Sequence, residues 1–273
     1  MKVSIVLSAY NSEKFLERAV HSILDQSLQD FELILMDDGS TDKTRVHIER
    51  LATMDMRIIP VFSKENIGLT SNLNKGIKMA KADYIARMDA DDIALPSRLQ
   101  QQCDFLDRNP DIDILGSAAI DIDERGEQLQ LRTSPELHNE IIRLLPKVNP
   151  MIHSTVMFRK KSLEQISYYN ESYRTTQDYE MWFRAAGHGL KFHNLKDVLL
   201  YYRIDKNYHK RKSLTYRLYD CKLRLQGFRH IDLPYYKYYY SAIPLILGLL
   251  PGSIYDKIKK LDPRMIDFDR GAN

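Results

Sequence analysis

The sequence predicts an α/β fold with a mainly parallel sheet covered by helices. In the first hundred residues, four short apolar runs at 3–7, 31–36, 58–62 and 84–88 alternate with segments of helical periodicity. Short continuous apolar runs predict strands that are buried on both faces, and their alternation with helices predicts parallel pairing. Polar residues follow each run, at the end of a strand where open parallel sheets bind ligands.

The helices and strands of the first 110 residues are predicted from the spacing of apolar residues and from the residue types at the element ends. Asn11 and Ser12 are good N-cap types, and apolar residues then recur at helical spacing. Pro60 indicates that the third strand lies at an edge or ends there. Helices are predicted at 15–24, 42–51, 69–80 and, after Pro96, up to about 109.

The order of elements becomes mixed after residue 110. A strand is predicted at 112–117, a hairpin at 118–132, a helix at 135–145, a strand at 155–158, a helix at 178–186 and a strand at 198–203. We therefore expect one domain at 1–205, made of halves 1–110 and 111–205 without a flexible linker. A basic, aromatic, helical extension is expected at 206–273.

The composition is that of an ordinary globular protein and excludes several classes. The chain has 273 residues and a net charge of +3, which is too small to indicate a nucleic-acid partner. Its two cysteines have neither metal-ligand spacing nor a disulfide framework. Because the first residues already form a predicted strand and no secretory signal is recognised, we expect a cytoplasmic protein.

Three carboxylates crowd the end of the fourth apolar run, in Asp89-Ala90-Asp91-Asp92. Like charges at this spacing repel, and a hard divalent cation such as Mg²⁺ or Mn²⁺ compensates them. Such ions commonly bind one or two carboxylates together with substrate phosphates. The alternative is a solvated acidic turn that caps the next helix.

The positions of the other polar residues favour the ligand-binding interpretation. They stand after four successive predicted strands, as Ala9-Tyr10-Asn11, Asp37-Asp38, Asn66 with Gly68, and the acidic cluster. Because the carboxyl ends of parallel strands converge on one crevice, these residues predict a nucleotide-type site.

Five motifs in order give the chain a family resemblance. They are Ser8-Ala9-Tyr10-Asn11, Asp37-Asp38-Gly39-Ser40-Thr41-Asp42, Asn66-Ile67-Gly68-Leu69, Asp89-Ala90-Asp91-Asp92 and Gln177-Asp178-Tyr179-Glu180-Met181-Trp182. Together they resemble the family 2 inverting glycosyltransferases of the GT-A fold, over about residues 1–205. The resemblance implies an enzyme that transfers a sugar from a nucleotide-diphosphate donor, with a UDP-sugar as the expected donor.

The resemblance also implies roles on the nucleotide side. Ala9 and Tyr10, followed by Asn11, would hold the nucleobase, and Asp38 or Asp37 would accept a hydrogen bond from the uracil ring. Both aspartates could instead cap the turn into the next helix. Two further residues, Asn66 and Gly68, would lie near the nucleotide.

The implied metal ligand is Asp91, which would hold Mg²⁺ or Mn²⁺ against the diphosphate. Asp89 would reach the ribose or the waters of the metal, and Ala90 lies between them in the donor-binding loop. Arg87 either pairs with these carboxylates or touches phosphate, and both alternatives stay open.

Asp178 would be the general base of the reaction. It is also a plausible N-cap of the helix that it begins. The tentative acceptor residues are His153, Glu180 and Trp182. His153 could equally be structural, and Trp182 could equally belong to the core.

The acceptor implied by the resemblance is a hydroxyl of a glycan or of a lipid-linked sugar, as in the assembly of bacterial surface polysaccharides. The Gln-x-x-Arg-Trp motif of processive synthases is missing from the sequence, so one sugar per binding event is expected. A nucleotidyltransferase that makes nucleotide sugars is one alternative, although no Gly-rich, basic loop follows the first strand. A non-catalytic carbohydrate-binding relative is another.

The C-terminal extension is basic and rich in tyrosine. Between 203 and 237 there are ten Lys/Arg against three Asp, followed by an apolar run at 242–250 and by Lys257, Lys259 and Lys260. This combination is typical of an anchor on an anionic membrane surface, here the inner face of the cell membrane. Packing of an ordinary basic helix on the domain is the alternative. Where similar sequences carry a His after the last strand, this chain has Asp205, and His209 is the alternative for that position.

Overall fold

The first half of the sheet is parallel, as predicted. In the computed structural model, which describes residues 1–204, 214–249 and 265–267, adjacent strands follow the order β3-β2-β1-β4. These strands are β1 (Val3–Ala9), β2 (Phe31–Asp37), β3 (Ile58–Phe62) and β4 (Tyr84–Asp89). The connecting helices are α1 (Leu16–Leu24), α2 (Thr44–Met54) and α3 (Leu69–Met79).

The second half of the sheet is mixed. A short β5 (Ile93–Ala94) and helix α4 (Arg98–Arg108) lead into β6 (Ile114–Ile122), which forms an antiparallel hairpin with β7 (Gln128–Arg132). β8 (Met157–Arg159) lies antiparallel between β4 and β6. β9 (Phe192–Arg203) pairs parallel to β6 and antiparallel to β5, and β10 (Met265–Asp267) pairs with β7. The remaining helices of this half are α5 (His138–Leu144), α6 (Lys160–Gln165) and α7 (Gln177–Gly187).

Both faces of the parallel strands are buried. In β1, Ile5 and Leu7 point into one core together with α1 and α4, whereas Val6 points into a second core with α3 and α7. Burial on both faces explains why these strands have continuous rather than alternating hydrophobicity. The helices that cover the two faces leave the strand ends accessible, and those ends carry the site.

Several boundaries differ from the sequence prediction. β9 begins at Phe192 rather than at 198, and its pairing with β6 shifts register between Ser117 and Ala119. In its first part, polar His193 and Asn194 separate Phe192 from Leu195, and exposed Lys196 and Asp197 follow, so the segment lacks the continuous apolar signal of a buried strand. Two short elements, β5 and α6, were not predicted because neither has an apolar period.

Within the described part of the C-terminal extension, residues 214–249 are helical and pack against the domain, whereas β10 (Met265–Asp267) is a strand that the sequence analysis did not predict. The helical part contains α8 (Leu214–His230), a 3-10 helix (Tyr235–Ala242) and α9 (Ile243–Leu249). Phe228 stacks edge-on against Phe183 of α7, and a Cβ on Gly227 would lie 2.4 Å from the Phe183 ring. Only glycine therefore permits this close approach. The predicted roles of Asp205, His209, Lys257, Lys259 and Lys260 concern positions outside the described residues.

None of the helices that the structure describes combines the length and the apolar character needed to cross a bilayer. Helix α8 packs on α7, so the alternative of a basic helix packed on the domain is observed for this part of the extension. The division at residue 205 remains a prediction.

Candidate active site

The ends of the three central strands lie at one edge of the sheet. The pairing register places Ala9 of β1 beside Asp37 of β2, and Ser8 of β1 beside Asp89 of β4. This register is the geometric reason why motifs that are distant along the chain meet. Residues at and after the ends of β1 and β4 line a cleft.

The loops after β1 and β2 are fastened to each other through Asn11. Its amide donates to Ser40 Oγ at 3.0 Å, and its side-chain oxygen accepts from the Thr41 amide at 2.9 Å. Asn11 has φ of 49°, a left-handed conformation that asparagine tolerates better than most residues. The side chain predicted to lie near the nucleobase therefore also positions the loop that carries Tyr10.

Asp38 fastens the loop after β3. Its two carboxylate oxygens accept hydrogen bonds from the amides of Ile67 and Gly68 at 2.9 and 3.0 Å. Asp37 is also buried, and it accepts from the Ser40 amide at 3.1 Å. Both aspartates thus have a structural task, and contact with a nucleobase remains a prediction for either. Asn66 is exposed on the same loop.

Gly39 lies at the closest approach of these loops. It has φ of 70°, and a Cβ there would lie 2.6 Å from the backbone of Glu65. Any other residue would be strained by its φ and would collide with the main chain. The motif Asp37-Asp38-Gly39 therefore shapes the loop that precedes Asn66.

The acidic cluster is assembled as the sequence predicts. Carboxylate oxygens of Asp89, Asp91 and Asp92 all lie within 4.8 Å of one another. Arg87 binds both oxygens of Asp89 and also donates to Ser154 Oγ at 2.8 Å. Of the two alternatives for Arg87, pairing with a carboxylate is therefore the one observed.

The environment of the cluster disfavours the charged forms of Asp91 and Asp92. Burial and the neighbouring Asp89 carboxylate raise the pKa of Asp91 to about 6. Burial, together with Asp89 and Asp91, raises the pKa of Asp92 well above its usual range. Asp92 Oδ2 is buried without a hydrogen-bond partner among the described residues. Crowded hard oxygens with an orphaned acceptor fit a divalent cation of the Mg²⁺ or Mn²⁺ type.

Arg203 at the end of β9 is a site residue that the sequence analysis did not assign. Its amide donates to Asp92 Oδ1 at 2.8 Å, its Nε donates to the Asp91 carbonyl at 2.9 Å, and its guanidinium lies 4.3 Å from the Phe15 ring. Its Nη2 is buried and has no partner among the described residues. The available signal was its position at the end of a predicted strand.

The cleft between these elements has a volume of about 500 Å³. Five of its lining residues were predicted for donor or metal binding, namely Tyr10, Asn11, Asp89, Ala90 and Asp91. Arg203, Phe15, Lys14 and Glu124 also line the cleft, and Lys14 forms a 2.9 Å ion pair with Glu124 on the β6–β7 hairpin. Ala9, Asp37, Asp38, Asn66 and Gly68 are not among the residues that line it.

Asp178 lies in the first turn of α7 and is partly buried. Its Oδ2 accepts a hydrogen bond from Asn149 Nδ2 at 2.7 Å. Burial raises the pKa of Asp178, while the Asn149 hydrogen bond and the Arg87 charge oppose the rise. Asp178 does not line the 500 Å³ cleft. The Arg87 guanidinium binds Asp89 at the cleft, and its positive charge also acts on the Asp178 carboxylate. No side-chain cap bond is formed at Thr176, the residue before α7.

His153 is held as a neutral imidazole. Its Nε2 lies 2.6 Å from the Tyr169 hydroxyl, and burial lowers the pKa of His153 well below its usual value. The ring is partly exposed and is adjacent in sequence to Ser154, which binds both Arg87 and Asp89. Its predicted contact with an acceptor remains a prediction.

The two other tentative acceptor residues have structural partners. Both oxygens of Glu180 lie 3.0 Å from the guanidinium of Arg184. Trp182 is fully buried, with its ring 5.9 Å from Phe158. A side chain with no exposed surface cannot serve as a sugar platform in this conformation, so the core alternative for Trp182 is the one observed.

We expect Trp182→Ala to lower the free energy of unfolding by about 3–5 kcal/mol, since it removes a fully buried indole. Urea denaturation measures this change. Tyr236→Ala, which truncates a highly exposed aromatic ring, serves as the control and should change stability little. A Trp182→Ala protein of normal stability with weakened acceptor binding would instead support the sugar-platform alternative.

Comparison with known proteins agrees with this geometry. The family model described as "Glycosyl transferase family 2" matches residues 4–167. The chain belongs to glycosyl transferase family 2. It is 34% identical over 262 residues to the putative glycosyltransferase EpsE of Bacillus subtilis, covering 95% of this chain and 93% of that protein.

Other relatives of this glycosyltransferase extend the comparison. The amylovoran biosynthesis glycosyltransferase AmsE of Erwinia amylovora is 32% identical over 235 residues, covering 82% of this chain and 86% of that protein. The crystal structure of S. aureus TarS 1-349 in complex with UDP-GlcNAc has a TM-score of 0.69 at 21% identity, covering 90% and 72% of the two chains. The predicted GT-A fold and the assignment as a glycosyltransferase are thereby confirmed.

Proposed function

We propose that the chain is an inverting, divalent-metal-dependent glycosyltransferase. It moves one sugar per binding event from a UDP-sugar to a hydroxyl of a glycan or lipid-linked acceptor. The observation that carries the proposal is the cluster of three carboxylates beside a cleft of about 500 Å³. Arg87 binds this cluster, and its charge also acts on Asp178, a separate carboxylate whose pKa is raised by burial. This arrangement provides one charged centre for a diphosphate and one base for an alcohol.

The donor occupies the cleft between the loops after β1 and β4. The Tyr10 side chain, 47% exposed on the cleft wall, packs against the nucleobase. The unpartnered Nη2 of Arg203 donates to a phosphate oxygen, which supplies the partner that it lacks. UDP as the nucleotide is supported by the UDP-GlcNAc complex of the TarS structure.

The metal-binding residues in this proposal are Asp91 and Asp89, since their carboxylates face the cleft. A Mg²⁺ or Mn²⁺ ion held there supplies charge neutralisation for the departing diphosphate. Arg87 fixes Asp89 in position by binding both of its oxygens. Asp92 fixes the end of β9 against the cluster through the Arg203 amide.

Asp178 is the general base. Asn149 orients its carboxylate, and the raised pKa brings its basicity closer to neutral pH. The acceptor hydroxyl gives its proton to Asp178 while its oxygen bonds to the sugar carbon. The bond from that carbon to the diphosphate oxygen breaks on the opposite face, so the configuration inverts.

The acceptor side faces the cell membrane in this proposal. The name of AmsE places that relative in the biosynthesis of a polysaccharide, amylovoran, which supports a glycan acceptor. The basic, tyrosine-rich segments at 214–249 support contact with the inner, anionic face of the bilayer. No nucleic-acid partner is part of the proposal.

A screen of nucleotide sugars by thermal shift, with Mg²⁺, with Mn²⁺ and with chelator, tests the function. We expect one UDP-sugar to raise the melting temperature only when a divalent cation is present, since ligands that bind the folded state stabilise it. Free sugars without the nucleotide should give no shift. Product formation with the same donor completes the test, and metal-independent binding or a lack of transfer to any glycan would contradict the proposal.

A further inference from the structure

Part of the C-terminal extension exposes an unusual amount of aromatic and aliphatic surface. Tyr235, Tyr236 and Tyr239 of the 3-10 helix are 85, 75 and 62% exposed, and Ile246 of α9 is 57% exposed. We call these four residues the tyrosine-rich face. In the same extension Phe228 is buried, whereas Leu214, Leu218 and Leu225 of α8 are also exposed, at 62, 53 and 38%.

The tyrosine-rich face is anchored from behind. Tyr238 stacks edge-on against Phe228, and the Arg217 guanidinium donates to the Pro244 carbonyl at 2.6 Å. Phe228 is itself fully buried against Phe183 of α7. The alternation of inward and outward tyrosines therefore presents the exposed rings on a fixed support.

Positive charge accompanies the exposed rings. Residues 214–249 contain five Lys/Arg and two Asp, and one of those acids, Asp220, is paired with Arg224. Lys237 lies beside the Tyr236 ring at 5.6 Å. Nearby Lys147, over the Tyr240 ring at 5.4 Å, forms no ion pair with any described residue. The surroundings of the tyrosine-rich face thus attract an anionic surface.

We propose that the tyrosine-rich face docks on the headgroup region of an anionic phospholipid bilayer. Tyrosine rings suit this depth because they have an apolar body and a polar tip, and lysines beside them bind anionic headgroups. The seven residues of α9, Ile243–Leu249, are all apolar or small and are too few to cross the membrane. Ile246 and Gly248 are exposed while Pro244 is buried, which matches a helix that lies in the interface.

The contacts around Lys147 connect this face to the proposed base. Arg224 of α8 donates to the carbonyls of Pro146 and Lys147 at 3.1 and 2.7 Å. Two residues further along, Asn149 binds Asp178. An acceptor that is anchored in the bilayer therefore approaches Asp178 from the docked side. The approach of the acceptor to Asp178 rests on the proposed function, whereas the docking of the tyrosine-rich face does not.

Vesicle flotation of the full chain tests the docking surface without turnover. We expect wild type to bind vesicles with roughly one third phosphatidylglycerol and to bind neutral phosphatidylcholine vesicles far more weakly, with binding weakened by salt. The triple substitution Tyr235→Ser, Tyr236→Ser and Tyr239→Ser should lower binding to anionic vesicles by at least about tenfold. Lys237→Glu should lower it by about fivefold or more.

A matched control removes apolar surface elsewhere. Val46, Met54 and Met56 are 62, 65 and 95% exposed in and after α2, and their replacement by Ser should leave vesicle binding unchanged. Circular dichroism and donor binding confirm that each variant is folded. Equal binding by wild type and the tyrosine variant would overturn the proposal. So would a wild-type dimer, seen by light scattering, that the tyrosine variant dissociates without any change in vesicle binding.

Discussion

Asp91→Asn is expected to abolish metal-dependent binding of the UDP-sugar and to reduce turnover by about 10³-fold. The Asp91 carboxylate lies on the cleft wall in the acidic cluster, and a metal that loses a ligand gives up several kcal/mol of charge stabilisation. Titration calorimetry with and without Mn²⁺ measures donor binding, and initial rates measure turnover. Asp111→Asn, at an exposed aspartate remote in sequence, is the control and should behave as wild type.

The same substitution should stabilise the ligand-free protein. The folded-state pKa of Asp91 is raised to about 6, so ionising this group costs folding free energy at neutral pH. That cost is absent below the unfolded-state pKa and is fully present above pH 6. Asp91→Asn should therefore raise the free energy of unfolding by on the order of 1 kcal/mol at pH 7.5, with a smaller gain near pH 4. Undiminished donor binding together with unchanged stability would refute the assignment of this cluster.

Asp178→Asn is expected to lower turnover by about 10²–10⁴-fold and to leave donor affinity nearly unchanged. The substitution removes the proton acceptor but retains an oxygen that can accept the Asn149 hydrogen bond. Because burial raises the pKa of Asp178, the neutral side chain should not reduce stability. Rapid-quench measurement of single turnovers, together with donor titration, separates chemistry from binding.

The acidic limb of the pH profile provides an independent readout of the base. Asp178 acts when it is deprotonated, so wild-type turnover should fall as the pH drops through its raised pKa, above the ordinary value for aspartate. Glu180→Gln is the matched control on the same helix. It should lose stability, because it breaks the ion pair with Arg184, while keeping turnover. Full activity in the Asp178 variant would exclude this residue as the base.

The sequence predicted the structure best where every residue of a segment is subject to the same requirement, such as burial on both faces of a strand. The runs of β1 to β4 are apolar because both faces of these strands are buried, and this pattern can be read without a structure. The close spacing of Asp89, Asp91 and Asp92 along the chain similarly indicated an uncompensated cluster. In contrast, the start of β9 at Phe192 had no such pattern, since polar His193 and Asn194 separate its apolar residues and pairing with β6 holds the segment in the sheet.

The parallel sheet with both faces covered, and the acidic residues at the ends of its strands, could be read from the amino-acid order alone. Which polar atoms are already satisfied could be learned only from the folded chain. Asp38 is bonded to two loop amides, Glu180 is bonded to Arg184, and one buried guanidinium nitrogen of Arg203 has no partner among the described residues. Periodicity records burial, whereas hydrogen-bond partners often come from segments that are distant along the chain.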